Sequence, residues 1–136
     1  MEEENLRETR LLYEEAFGAG NLSMVDEIVA DDFFDHLHHR RGPQAFKSSI
    51  TSLRDRFPDL VLCVRNQIAD GEQITTRCVL SGTDVGGVLW YPPTHKHVTF
   101  RVAYVDHFHG GKLIEHWEKA DMRNLLEQLG LPAGNG

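Results

Sequence analysis

At Pro58 the chain changes its hydrophobic period. Before it, Phe46, Ile50, Leu53 and Phe57 recur at spacings of four, three and four, the signature of one helix face. After it, residues 73–83 alternate Ile74, Thr76, Cys78 and Leu80 against Thr75, Arg77, Val79 and Ser81, the signature of a strand. Helices segregated from strands along a chain mean an α+β fold with a largely antiparallel sheet.

The rest of the pattern fills in around that switch. Leu6, Leu12, Tyr13, Ala16 and Phe17 predict a helix over about residues 3–19, stopped by Gly18, Gly20 and Asn21. Ser23, with Asp26 three residues on, predicts a capped short second helix ending at Ala30-Asp31-Asp32. A short strand is expected over Phe33 to His38, and Gly42-Pro43 opens the third helix. Leu60 to Ile68, residues 73–83, His97 to His109 and Lys112 to Asp121 predict strands. A terminal helix follows from Met122 to Leu129, and residues 130–136 read as a frayed tail. With 136 residues and no linker or repeat, residues 1–136 are expected to form one domain.

Composition narrows the function. Fourteen basic against 21 acidic residues, a formal charge of −7, argue against nucleic acid or an anionic membrane as partner. Cys63 and Cys78 do not make a disulfide framework or a zinc pattern. The acidic start Met1-Glu2-Glu3-Glu4 does not read as a signal peptide, so a cytoplasmic location is expected.

The motifs, in order, resemble the SnoaL-like polyketide cyclases, of the nuclear-transport-factor-like and ketosteroid-isomerase-like fold. The resemblance covers about residues 5–130. It rests on Tyr13-Glu14-Glu15-Ala16-Phe17, Gly20-Asn21-Leu22, Ala30-Asp31-Asp32-Phe33 with Asp35-His36, Gly42-Pro43, and Phe57-Pro58-Asp59-Leu60. Pro92-Pro93-Thr94 and Gly111-Lys112-Leu113-Ile114-Glu115-His116-Trp117 with Asp121 complete it. It implies a cone-shaped, curved mixed sheet wrapped on three N-terminal helices, an α+β barrel associating through its sheet as a homodimer or homotetramer. It implies a small hydrophobic carbonyl compound as substrate, closed by intramolecular aldol chemistry without cofactor or metal. The family's general acid/base is an aspartate near the chain's end, matched by Asp121.

Aldol closure needs a carboxyl whose pKa burial has raised towards neutrality. Counting by twos puts Asp121 on one strand face with Leu113, Glu115, Trp117 and Lys119. Asp121 is equally well placed to cap the helix that follows it. His107 is the candidate partner. A two-residue turn at Gly110-Gly111 pairs His107 with Ile114 and leaves Tyr104 facing Asp121; a three-residue bulged turn pairs it with Leu113 and turns it to Asp121. The bulged form is the expectation taken here. Tyr13, on the inner side of the first helix, is a candidate donor to a substrate carbonyl or a core tyrosine. Asp35 matches in place the base of the ketosteroid isomerases, which keeps an isomerase or lyase reading open; a non-catalytic binder of an apolar molecule is the other alternative. Asp35 and His36 are expected to line the pocket, and Trp90, Tyr91, Phe100 and Trp117 to serve pocket or core.

Eight histidines are many for a chain this short. Strand alternation separates His39 from His36 and His38, and His95 and His97 lack the rest of a His-x-His metal motif. The His38-His39-Arg40-Arg41 run reads instead as a loop at the pocket mouth. His95 and Tyr91 depart from the family pattern near the expected rim. Arg101 has no aspartate two residues on, which argues against epoxide hydrolysis.

Overall fold

The computed structural model describes residues 2–132. Helix α1 (Glu2–Leu11) runs directly into a π-helical turn, Leu12–Phe17, closed where the Gly18 amide donates to the Tyr13 carbonyl at 2.9 Å. The sequence pattern predicts one uniform helix here. The wider turn holds one residue more, so Leu12 and Tyr13 are both buried along with Ala16 and Phe17. Helix α2 is a single turn, Val25–Ile28. The expected Ser23 cap is not made: the Ser23 hydroxyl bonds Asn21 Oδ1, and Met24 stands at the cap position. Strand β1 (Val29–Asp35) begins earlier than its pattern indicates and ends before His36, where the chain turns into the two-residue β2 (Arg40–Arg41). Helix α3 (Pro43–Arg56) carries Pro43 in its first turn and buries Ala45, Phe46 and Ile50.

The strands β3 (Val61–Asp70), β4 (Gln73–Thr83), β5 (His97–His109) and β6 (Lys112–Ala120) form the antiparallel part of one sheet, ordered β2-β1-β6-β5-β4-β3. β1 lies parallel to β6, which makes the sheet mixed. The sheet curves without closing, and its inner face packs on α3 and the π-helical turn. Tyr13, Phe17, Phe33, Phe46 and Tyr104 meet there, with the Tyr13 and Tyr104 rings stacked at 4.3 Å. Helix α4 (Met122–Leu129) closes one end, burying Leu125, Leu126 and Leu129. Gly130 ends it at φ 72°, a left-handed position that costs glycine little.

The β5–β6 hairpin corrects both registers drawn from the sequence. Gly110 and Gly111 both take positive φ, so the loop has two residues and pairs His109 with Lys112 and Phe108 with Leu113. The bulge lies one step further on, at Ile114, and pairs His107 with Glu115. This bulge reverses the strand's parity. Leu113 points inward before it; His116 is buried after it, while Trp117 and Lys119 point outward.

Candidate active site

The inner face opens into a cavity of about 390 Å³ at the end of the sheet near α4. Its apolar wall includes Phe17, Leu53, Phe57, Val88, Phe100 and Leu125. Its ionisable wall comes from three places: His38 after β1, Arg56 at the end of α3, and β6, where His116 and Glu118 turn inward and Lys119 borders the edge.

Glu118 is the residue the sequence reading missed. Counting by twos from Leu113 assigns it to the outer face, and only the bulge at Ile114 turns it in. The detectable signal is the alternation His116, Glu118, Ala120 against Trp117 and Lys119, which runs out of step with Leu113. Burial pushes the Glu118 carboxyl above its usual range, against the opposing pull of His116, His38 and Arg56.

His116 is held from behind. Its Nδ1 lies 2.7 Å from Asp106 Oδ1 on the neighbouring strand, and Asp106 Oδ2 accepts the Tyr13 hydroxyl at 2.6 Å. Asp106, Tyr13 and His116 are all buried. Burial works against a charged imidazole, yet the Asp106 carboxylate, helped by the charges of Glu118 and Asp35, outweighs it and holds the His116 pKa above its ordinary value. With Nδ1 committed to Asp106, Nε2 is the ring nitrogen left for the cavity. Tyr104 stacks on His116 at 5.6 Å and pairs across the strands with Glu118. The Tyr104 hydroxyl is buried without a hydrogen-bond partner among the described residues.

Asp35 is buried and heavily bonded. Its Oδ1 accepts the Leu37 amide at 2.9 Å, and its Oδ2 meets His38 Nδ1 at 2.8 Å and the Ser49 hydroxyl at 3.2 Å. Burial opposes ionisation, but these bonds win and hold the carboxyl below its ordinary range. Asp35 braces His38 on the cavity wall and does not itself line the cavity.

The remaining expected site residues lie elsewhere. Asp121 is exposed and caps α4, its Oδ1 accepting the Asn124 amide at 3.2 Å. His107 sits on the outer sheet face beside Glu115 Oε1 at 3.2 Å. The Asp121 amide bonds Arg101, six residues along β5 from His107, so the two are about 20 Å apart. His36 also lies on the outer face, bonded to Glu115 at 2.8 Å and stacked on Trp117 at 4.4 Å. Tyr13 and Tyr104 are core residues next to His116. Trp90 is 79% exposed and Tyr91 bonds the Pro132 carbonyl, so neither lines this cavity, whereas Phe100 does. Of the His38-to-Arg41 run, His38 reaches the cavity, while Arg40 and Arg41 pair with β1. Residues 133–136 of the expected tail lie outside the described residues.

A half-open α+β cone thus places a partly apolar cavity beside a raised carboxyl and a braced histidine. The chain belongs to the SnoaL-like polyketide cyclase family, whose model matches residues 7–129. It is 28% identical over 122 residues to nogalonic acid methyl ester cyclase of Streptomyces nogalater, covering 86% of this chain and 91% of that protein. It is 24% identical to aklanonic acid methyl ester cyclase DauD of Streptomyces sp. strain C5, covering 87% and 77%. In fold it is similar to TsrD of Streptomyces laurentii, with TM-score 0.87, 19% identity, and 97% and 98% of the two chains covered. Among the described residues, no helix is long and apolar enough to cross a membrane.

Proposed function

We propose that the protein is a polyketide-cyclase-like enzyme that closes a ring in a hydrophobic carbonyl compound by intramolecular aldol chemistry. The observation that carries the reading is Glu118, a carboxyl raised by burial on the wall of an apolar cavity, beside His116. The Glu118 carboxylate removes an acidic C–H proton flanked by carbonyls. The resulting enolate carbon attacks a second carbonyl carbon of the same molecule; the C–C bond forms and the C=O π pair moves to oxygen. The proton held on Glu118 returns to that alkoxide, so the product is an isomer of the substrate and no co-reactant is consumed. His116 Nε2–H donates to the developing oxyanion, and Asp106 with Tyr13 fixes the ring's orientation and favours its charged form.

The aspartate carried over from the family pattern, Asp121, competes for the acid/base role, and paired variants decide between them. Glu118→Gln is expected to lower turnover of an aromatic β-diketone ester at least about a hundredfold, as loss of a general acid/base does. Asp121→Asn is expected to keep the rate. The reverse order assigns the chemistry to Asp121, and no turnover by the parent protein over a panel of such esters and the corresponding free acids favours a non-catalytic binder. The reading includes self-association through the outer sheet face, where Val61, Ile68 and Trp117 stand exposed; sedimentation velocity checks it.

A further inference from the structure

Three ionisable side chains that border the cavity, Glu118, Arg56 and Lys119, make no ion pair among the described residues. Asp35 and His38 bond each other, as do Asp106 and His116. Glu118 and Arg56 each line the cavity but share no ion pair, and the Arg56 guanidinium makes no hydrogen bond or ion pair among the described residues. Arg56 is exposed at the rim of the cavity and near enough to Glu118 to act on its carboxyl electrostatically, an arrangement open to a ligand that reaches both.

The position of Arg56 is also built. Its carbonyl, at the end of α3, accepts the amides of both Val85 (2.9 Å) and Gly86 (3.1 Å). Gly86 sits so close that a Cβ there would stand 2.8 Å from the Arg56 Cα. The loop that supplies these amides is itself pinned, because Asp84 accepts the amides of Gly87 and Thr94 and the Thr94 hydroxyl at 2.9–3.0 Å. The last turn of α3 is therefore clamped, which aims a flexible side chain from a fixed base and lowers the entropy lost when it binds.

We propose that Arg56 is a specificity residue and that the substrate carries an ionised acid group. This rests on the cavity being the substrate site and adds the substrate's charge. A planar carboxylate is held at the rim by the guanidinium fork, with the apolar body inside and its acidic C–H at Glu118. A neutral ester at the same place would leave Arg56 unused.

A binding measurement separates this from catalysis. 2-Naphthoate and 2-naphthamide, matched in shape, are titrated against the parent protein, Arg56→Gln and Arg56→Lys by calorimetry. The parent is expected to bind the anion about tenfold tighter than the amide, consistent with one charge-assisted bond in a partly open site. Arg56→Gln should erase that preference, and Arg56→Lys should restore part of it. Equal binding of anion and amide by the parent overturns the proposal, as does a preference that survives in Arg56→Gln. Because no turnover is read, the result stands whether or not Glu118 proves to be the base; if neither probe binds any of the three proteins, the cavity is not a carboxylate site and the proposal fails.

Discussion

Replacing Asp106 by asparagine tests the part of the site on which the rest depends. In the folded protein the Asp106 carboxylate is fully buried and accepts from both Tyr13 and His116, at 2.6 and 2.7 Å. Asparagine has nearly the same shape, so the Tyr13–Tyr104 stack and the strand pairing are kept. What is lost is the buried charge, and removing one partner of a buried ion pair costs about 3–5 kcal/mol. At about 2–8 °C of melting temperature per kcal/mol for domains of this general size, the expected drop is at least about 6 °C.

The pH dependence is the sharper readout. In the parent protein His116 has its pKa raised above the unfolded value, so its contribution is fully present below about pH 6.5 and is lost as pH rises through the folded pKa. In Asp106→Asn burial is opposed only by the more distant charges of Glu118 and Asp35, so the His116 pKa falls and the imidazolium contributes less stability at low pH. The difference in unfolding free energy between the two should therefore be larger at pH 6 than at pH 8.5, read by urea denaturation at both. A difference that does not change with pH, or grows towards high pH, would refute the assignment of His116 as an imidazolium held by Asp106.

Three further outcomes follow from the geometry. Turnover under the proposed mechanism should rise with pH through an apparent pKa above the ordinary carboxylate range, because burial raises Glu118, and that limb should vanish in Glu118→Gln. Asp121→Ala should cost about 1 kcal/mol of stability through the lost cap, measured by denaturant midpoint, with the fold unchanged. Gly86→Ala forces a methyl group against the Arg56 backbone and should cost about 1–3 kcal/mol while weakening naphthoate more than naphthamide, by melting and calorimetry respectively.

Local signals were enough for most of the architecture. The period change at Pro58, Pro43 at the start of α3, and the alternation of β4 depend on neighbours a few residues apart, and each appears in the structure where its pattern lies. The outward position of His36 is different. β1 ends at Asp35, and the turn to β2 sends the two histidines at 36 and 38 to opposite sides, one to Glu115 and one to the cavity wall. Nothing in the Asp35-to-His39 stretch alone records that.

The chemistry of the site was decided at one residue of one strand. By itself the sequence determined an α+β chain with helices before strands, a glycine hairpin after His109, an acid at 121 able to cap a helix, and no need for disulfides. It could not determine which of Glu115, Glu118 and Asp121 faces inward. A side chain's face in a strand is set by counting residues, and a single bulge inverts every count beyond it. Whether Ile114 bulges depends on how β6 must bend to pair with β5 on one side and with β1, in parallel, on the other. That is a property of the assembled sheet. The tertiary structure alone turned His116 and Glu118 into the cavity, brought Asp106 and Tyr13 behind them from other elements, and left Asp121 outside.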